Sequence, residues 1–484
     1  MKTPVPLLWI VSFLFLSCPS PGQGETWSLK RCIRYAKSHN IQIQQQELQA
    51  HSAQITYRQS RLSQLPRLSG SASLGKNFGR SIDPTTNQFV SNNLTSSGIG
   101  INAQVTLFGF LKLRKTIEAN KLAYHADKVI IKKIVHDLSL NISDAYLQIL
   151  LADEQVKISK KQVHLTENQL ETTHQKVIAG VLSIGEEAHL QAQLAKDSAT
   201  LIGNQSELKE TVLQIKSLLN LDLETPFLPD ESNIIQSVFP DLSATTPEEI
   251  YHQALHRQPA IVADSFQIAS FQKTLAATKA GLYPTLSLGV QVGTNYSSTF
   301  QRPVGSKEEV IPKAPIGTVT LNGNNYIVKS LPDKVDQTIY DIPAAGTQFK
   351  DNLRENVALS LNIPLFNGLQ TQTQIKKARI EVRRQQLQLK QDRMTLKQDI
   401  VRTYTQAVAA RKSYEAAQKT FQATQKSFYY AQKRYEVGHI NTTEYLTAQN
   451  ELFKAEMNLI GKHYRYIFKM KVLAFYQRVG LTMR

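Results

Sequence analysis

Short stretches of this chain alternate between apolar and polar positions. In one, Val357, Leu359, Leu361, Ile363 and Leu365 fall on one side and Ala358, Ser360 and Asn362 on the other. In another, Ile99, Ile101, Ala103, Val105 and Leu107 oppose Gly100, Asn102, Gln104 and Thr106. A third sets Leu286, Leu288, Val290 and Val292 against Thr285, Ser287, Gly289 and Gln291. A period of two marks a strand with one apolar face. Strands are therefore expected at about 66–79, 97–108, 284–296 and 353–366, close to the roughly 9 to 11 residues that a tilted membrane crossing needs. Period two alone also fits a soluble sheet laid on a core. The membrane reading is preferred because the polar side is small and uncharged, as an open water path requires, and because the flanking segments are far too long for a local core.

Those flanking segments repeat every three to four residues. Between 129 and 151, Ile131, Ile134, Leu138, Ile142, Ala145 and Ile149 form one stripe, the pattern of helices packed side by side. Helices are expected over 28–64, about 111–178, about 185–220, 247–282, about 370–436 and 441–478. Roughly 68 residues at about 1.5 Å each give a helix of about 100 Å, far beyond the globular average.

The chain also repeats itself. Pro66-Arg-Leu is answered by Pro284-Thr-Leu, 218 positions later. Val105-Thr-Leu-Phe-Gly109 is answered by Ile363-Pro-Leu-Phe-Asn-Gly368, and Lys176-Val-Ile-Ala-Gly180 by Arg434-Tyr-Glu-Val-Gly438, both 258 positions later. The constant second offset means that both halves keep a helix of one length. The change from 218 to 258 places an excess of 40 residues between the paired strands of the second half. Residues 25–221 and 247–484 are thus two structural repeats, joined by a connector at 222–246. The excess, about 297–352, holds Pro303, Pro312, Pro315, Pro332 and Pro343 and is expected as a loop outside the cell.

Four strands cannot close a membrane barrel, for which single chains use at least about eight. An open sheet in hydrocarbon would leave backbone groups unpaired at several kcal/mol each. Several copies must therefore share one wall, and this reasoning does not fix their number.

Composition narrows the field. With 22 glycines and 18 prolines among 484 residues, and abundant Gln, Lys, Ala, Leu and Glu, helix dominates. The formal charge of +17 is spread along helices in short pairs such as Lys132-Lys133. No zinc-finger spacing, RNA-binding signature or helix-turn-helix is present, so nucleic acid is not expected as a partner. After Lys2, the apolar run Val5 to Ser17 reads as a secretory signal within residues 1–24. Phe15-Leu-Ser-Cys18 imperfectly matches a bacterial lipoprotein site, so either Cys18 is lipidated or cleavage falls nearer Gly24. With Cys18 and Cys32 the only cysteines, an intrachain disulfide is not part of the mature protein. No later run approaches 18 apolar residues, so any membrane crossing must use strands.

Chemistry beyond transport is not indicated. His252 and His256 lie one helical turn apart, no Glu or Cys arrangement completes a metal site around them, and no phosphate loop or nucleophile elbow occurs. Neither enzyme activity nor a cofactor nor a metal is expected, so energy for active transport must come from a partner.

These features together resemble the TolC family of outer-membrane efflux proteins. The resemblance rests on Trp27-Ser-Leu-Lys-Arg-Cys-Ile-Arg-Tyr-Ala36, the joints at Pro66 and Pro284, the strand ends Leu107-Phe-Gly109 and Leu365-Phe-Asn-Gly368, and Tyr435-Glu-Val-Gly438 leading to Glu444-Tyr-Leu-Thr-Ala-Gln449. It implies a mixed fold: a transmembrane β-barrel of 12 strands, four from each chain of a homotrimer, continued by a long α-helical barrel through the periplasm. It also implies outer-membrane lipid around the barrel, a periplasmic adaptor protein, and an inner-membrane pump of RND or ABC type. By position, the turns at Val177, Gly180, Val181 and Leu182 and at Val437, Gly438 and Ile440 resemble the tips that meet the adaptor. Glu444 matches the family's first acidic gate position and Glu186 its counterpart in the first half. The second acidic position is Thr447 here, which weakens a double acidic ring. Tyr435 matches a tyrosine that would tie helices in the closed gate. Export of small toxic compounds is the leading expectation. Polypeptide secretion, heavy-metal export and a non-conducting envelope spacer are the alternatives.

Overall fold

A computed structural model describes residues 26–91, 93–230 and 245–478; the signal segment and Cys18 lie outside them. In chain order the elements are β1 (Thr26–Trp27), α1 (Leu29–His39), α2 (Ile41–Leu62), β2 (Arg67–Asn77), β3 (Ser81–Ile82), β4 (Phe89–Val90), β5 (Leu94–Phe108), α3 (Lys112–Ile178), α4 (Ile184–Leu219) and β6 (Leu228–Pro229). The second half contributes α5 (Pro247–Leu255), α6 (Pro259–Lys279), β7 (Thr285–Ser297), β8 (Arg302–Ile311), β9 (Pro315–Leu321), β10 (Asn324–Lys329), β11 (Asp333–Asp341), α7 (Ala345–Asp351), β12 (Arg354–Asn362), α8 (Gln370–Glu436) and α9 (Thr442–Arg478). Among the described residues, no helix is long and apolar enough to cross a membrane.

The chain divides into two compact units, one of residues up to 54, 122–268 and from 383 onward, the other of 55–121 and 269–382. The first is helical. Its largest core gathers Trp27, Cys32, Ile142, Tyr146, Ile149, Ile215, Leu219 and Ile467, the inward stripes of α1, α3, α4 and α9. Tyr146 sits in that core fully buried, donating to the carbonyl of Trp27 at 2.6 Å and accepting from the amide of Asp230 at 2.8 Å. One phenol thus ties β1, and the residue that follows β6 in the short parallel β1–β6 pair, to α3. Burial pushes the Cys32 thiol up to about 12, so it packs as a small apolar group.

Two helices that the periodicity runs through are broken. Asn40 separates α1 from α2: its side chain donates to the carbonyl of Leu218 and accepts from the amides of Gln42 and Ile43, which caps α2. Pro259, which lacks an amide proton, restarts the chain as α6 after α5 ends at Leu255.

The second unit is built on an antiparallel sheet in the order β12-β7-β5-β2. The register keeps the two faces separate across all four strands. Leu68, Ala103, Val290 and Val357 form one cross-strand row, and Ser69, Asn102, Gln291 and Asn356 form the row behind it. Two sequence expectations need correction. The fourth strand stops at Asn362 because Pro364 cannot donate to a ladder, so Ile363 and Leu365 lie beyond it. The polar face is also not free of charge: Arg67 and Arg354 stand on it, at the starts of β2 and β12.

The segment read as a loop, 297–352, is mostly strand. β8 pairs with β11 and β9 with β10, so that 302–341 form an extended ribbon, and α7 follows it. Its prolines sit at strand starts or between strands, where a missing donor costs little.

Candidate functional site

Each half ends its long helix in a turn that only glycine adopts without strain. Gly180 has φ +71° and Gly438 φ +78°, and a Cβ on either would meet nothing within 4 Å. Glycine is needed for backbone conformation here and not for close approach. After α3, the amides of Gly180 and Val181 return to the carbonyls of Val177 and Lys176 at 2.9 and 2.8 Å. After α8, those of Gly438 and His439 return to Tyr435 and Arg434 at 3.1 and 2.8 Å. Both are glycine C-caps. Ser183 then caps α4 through the amide of Glu186, and Asn441 caps α9 through that of Glu444 at 2.8 Å.

The turns present an apolar surface. Val181, Val437, Ile178 and Ile184 are exposed, whereas Val177, Leu182 and Ile440 are half-buried. Behind the turns lies a small cluster of Leu190, Tyr445 and Leu446, with Leu170, Phe428, Tyr435 and Ile440 packed on it. Tyr435 stacks on Tyr445 with ring centroids 4.7 Å apart, and its hydroxyl lies 3.0 Å from Thr442 Oγ1, bridging α8 and α9 across the turn. Burial, reinforced by Tyr435 and Glu436, pushes the Tyr445 hydroxyl up to about 12. The acidic candidates are placed differently. Glu444 is exposed in the first turn of α9, one helical turn before the exposed Thr447. Glu186 is half-buried, and its Oε2 is shut from solvent without a hydrogen bond. Beside it, Glu187 lies 3.0 Å from His174 Nδ1, linking α4 to α3.

Farther from the turns is a polar layer that the sequence reading missed. Asp197, 5% exposed, accepts from Gln193 Nε2 at 2.7 Å, Thr166 Oγ1 at 2.7 Å and Gln162 Nε2 at 3.2 Å. Gln449 donates to Thr166 at 3.3 Å, and the amides of Gln193 and Asn450 exchange two bonds of 3.1 Å. The layer joins α3, α4 and α9, one helix from the second half against two from the first. Its sequence signal was Asp197 itself, which occupies a seam position in the run Leu190, Leu194, Asp197, Leu201.

The sheet is the other candidate element. Its outer strands, β2 and β12, are exposed along their whole lengths, and among the described residues nothing pairs with the free edge of either. The apolar face is bare: Leu68, Leu74, Val357, Leu359 and Leu361 are all exposed. At the strand-to-helix joint Phe110 stacks on Tyr283 with centroids 3.7 Å apart, and Phe108 meets Phe110 edge-on. Aromatic rings at the rim of an apolar band are typical of barrels that cross membranes.

The outer membrane efflux protein family model matches residues 32–221 and 250–468. A curated relative, the probable outer membrane lipoprotein SilC of Salmonella typhimurium, is 22% identical over 342 residues, covering 69% of this chain and 71% of that protein. Among solved structures, a membrane protein from Pseudomonas aeruginosa aligns with a TM-score of 0.72 at 18% identity, covering 93% of this chain and 89% of its own. The CmeC outer membrane channel of Campylobacter jejuni aligns with a TM-score of 0.71 at 15% identity, covering 93% and 85%. At these identities the structural likeness speaks to the fold.

Proposed function

We propose that this chain, which belongs to the outer membrane efflux protein family, is the outer-membrane channel of a tripartite efflux system, three copies closing one barrel of 12 strands. The observation that carries the reading is the sheet order β12-β7-β5-β2 with both edges unpaired and one face apolar. Strand directions alternate through the sheet, so β2 of one copy can continue antiparallel from β12 of the next. Head-to-tail addition of this kind closes a ring. Closure satisfies every edge amide and carbonyl in hydrocarbon, which no single copy can do. The apolar face then meets lipid, and the row of Ser, Asn and Gln side chains lines a water path.

The turns at Gly180 and Gly438, with Val181 and Val437 exposed beside them, serve as the docking tips for a periplasmic adaptor. Glu444 and Glu186, near the same end of the helices, form the gate with Tyr435. Thr447, in place of a second acid, leaves the gate with weaker cation binding. Transport is powered by the inner-membrane pump, which also selects the small toxic compounds exported. Lipidation of Cys18 is consistent with the word lipoprotein in the name of the curated relative.

Planar-bilayer recording of the detergent-purified protein tests the reading. Discrete single-channel conductance is expected. A protein that runs as a soluble monomer without detergent would end the shared-barrel model, and a detergent-stable oligomer without conductance would leave only a structural spacer.

A further inference from the structure

The ribbon between β7 and β12 is an unusual piece of surface. From Gln301 to Ile342 every residue is exposed except the half-buried Ser330, so among the described residues the ribbon buries almost none of its surface, its base held by the Arg302–Asp351 pair at 3.9 Å. A lone two-stranded ribbon is marginally stable in water, and its open edges invite further pairing. Pro312 and Pro332 interrupt it between the basal pair, β8–β11, and the distal pair, β9–β10.

The distal pair has an apolar side. Val319 stands opposite Tyr326, Leu321 opposite Asn324, and Val328 opposite Gly317, so the four large side chains share one face. The other face carries Thr318 and Ile327, and Thr320 with its hydroxyl bonded to Asn325 at 2.6 Å. Val319, Leu321, Tyr326 and Val328 are 40 to 59% exposed. Four large apolar groups bare on so small a sheet mark a contact surface.

We infer that this face is buried against neighbouring copies of the same chain, the distal ribbons packing together in the assembled channel. The inference rests on the shared-barrel reading, and two observations choose the occupant. The ribbon rises from the β7–β12 hairpin, and β12 is the edge that the next copy's β2 would complete, so each ribbon emerges beside a neighbouring copy. The ribbon is also neutral, with five basic and five acidic side chains between 302 and 341 in a chain of net charge +17. Some of these charges are spent internally, as in Lys313–Asp333 at 2.7 Å and Lys334–Glu308 at 2.8 Å. A surface built for anionic lipid headgroups would hold a cationic excess, whereas a neutral apolar face meets its own copy without like-charge repulsion.

The full-length protein, inserted in the outer membrane of a Gram-negative host, provides the test. A Tyr326→benzoylphenylalanine variant should give, on irradiation, covalent dimers of this chain, and a Thr320→benzoylphenylalanine variant should not. In the assembled oligomer a Tyr326→Cys variant should lose labelling by a membrane-impermeant maleimide, while Thr320→Cys keeps it. Crosslinks at 326 to lipopolysaccharide or to another protein, or full labelling of Tyr326→Cys with no dimer, would overturn the inference. The native oligomer is checked in parallel: its absence from wild type would count against the shared barrel, whereas an intact oligomer with a free, labelled ribbon counts against this inference alone.

Discussion

Asp264 on α6 and Asp392 on α8 meet carboxyl to carboxyl. Asp264 Oδ1 accepts from Gln385 at 3.4 Å, while its Oδ2 is shut from solvent with no donor in reach. Asp392 accepts from Gln388 at 3.0 Å. A proton shared between the two acids would supply the missing donor. Burial, and then the hydrogen bond and charge of Asp392, push Asp264 up to about 7, against the pull of Lys133.

That pair predicts a pH dependence. An acid whose folded pKa lies above its unfolded value binds its proton more tightly when folded, so its contribution to stability is lost as pH rises from about 4 to 7 and regained as pH falls. Because the site is only partly buried, solvent screening reduces the effect to roughly 1 kcal/mol. Thermal melts of the detergent-solubilised protein, followed by circular dichroism at pH 5 and pH 8, should show a smaller difference for Asp392→Asn than for wild type. Equal differences would mean that the two carboxyls do not share a proton. The comparison with the variant is needed because burial also holds the His136 and His463 imidazoles down, which acts in the opposite sense.

The Asp197 layer should be costly to break. Asp197→Ala leaves the donors of Gln162, Thr166 and Gln193 facing a gap, and stranding buried donors costs roughly 1 to 3 kcal/mol. Asp197→Asn keeps one acceptor and should lose less. Urea unfolding checks this, with a shift of midpoint and little change of slope. An alanine variant as stable as wild type would show that the layer is wet and its bonds replaceable.

How much of this was legible beforehand depends on whether the information is local. The faces of β5, β7 and β12 could be read because period two involves only near neighbours, and the glycine turns because Gly180 and Gly438 recur at one offset. The 302–341 ribbon could not. Its prolines argue for a loop, and only the pairing of residues far apart in sequence, such as Glu308 with Asp336, makes it strand. The break at Asn40 was hidden for the same reason, since the partner of its side chain is Leu218, 178 residues away in sequence. Asp264 and Asp392 are ordinary surface acids until α6 packs on α8. Asp197 was different: a carboxylate on an apolar seam was visible, and only its partners were not.

Asp83 should anchor the β2–β5 connection to the end of β7. It is buried, and it accepts from Ser297 Oγ at 2.6 Å, from Thr299 Oγ1, and from the amides of Thr85 and Thr86 at 2.8 and 3.3 Å. Burial pushes its pKa up, but the Ser297 and Thr299 hydroxyls and the two amides outweigh that and hold it below the usual carboxylate value. The stabilisation is therefore present at neutral pH and lost only in acid, as pH falls below the ordinary aspartate range to the folded value. Asp83→Ala should let a protease added outside intact cells cut within 78–93, where wild type resists at neutral pH. Equal resistance in the variant would assign the anchoring to Gln348, whose side chain pairs with the backbone of Ser297 at 3.0 Å on both sides.

Arg67 and Arg354 are the charged side chains of the strands' polar face, where most other positions are Ser, Thr, Asn, Gln, Gly and Ala. In a closed barrel of three copies, each becomes a ring of like charge, the two rows lying four residues apart along β2. Such a ring draws anions and repels cations, over a distance set by salt: about 30 Å at 0.01 M and about 3 Å at 1 M. Arg354→Glu replaces three positive charges with three negative ones in one ring without touching the apolar face. Reversal potentials under a salt gradient should shift toward cation selectivity in dilute solution and converge with wild type near 1 M. A variant whose selectivity matches wild type at every concentration would mean that charges other than Arg354 control it.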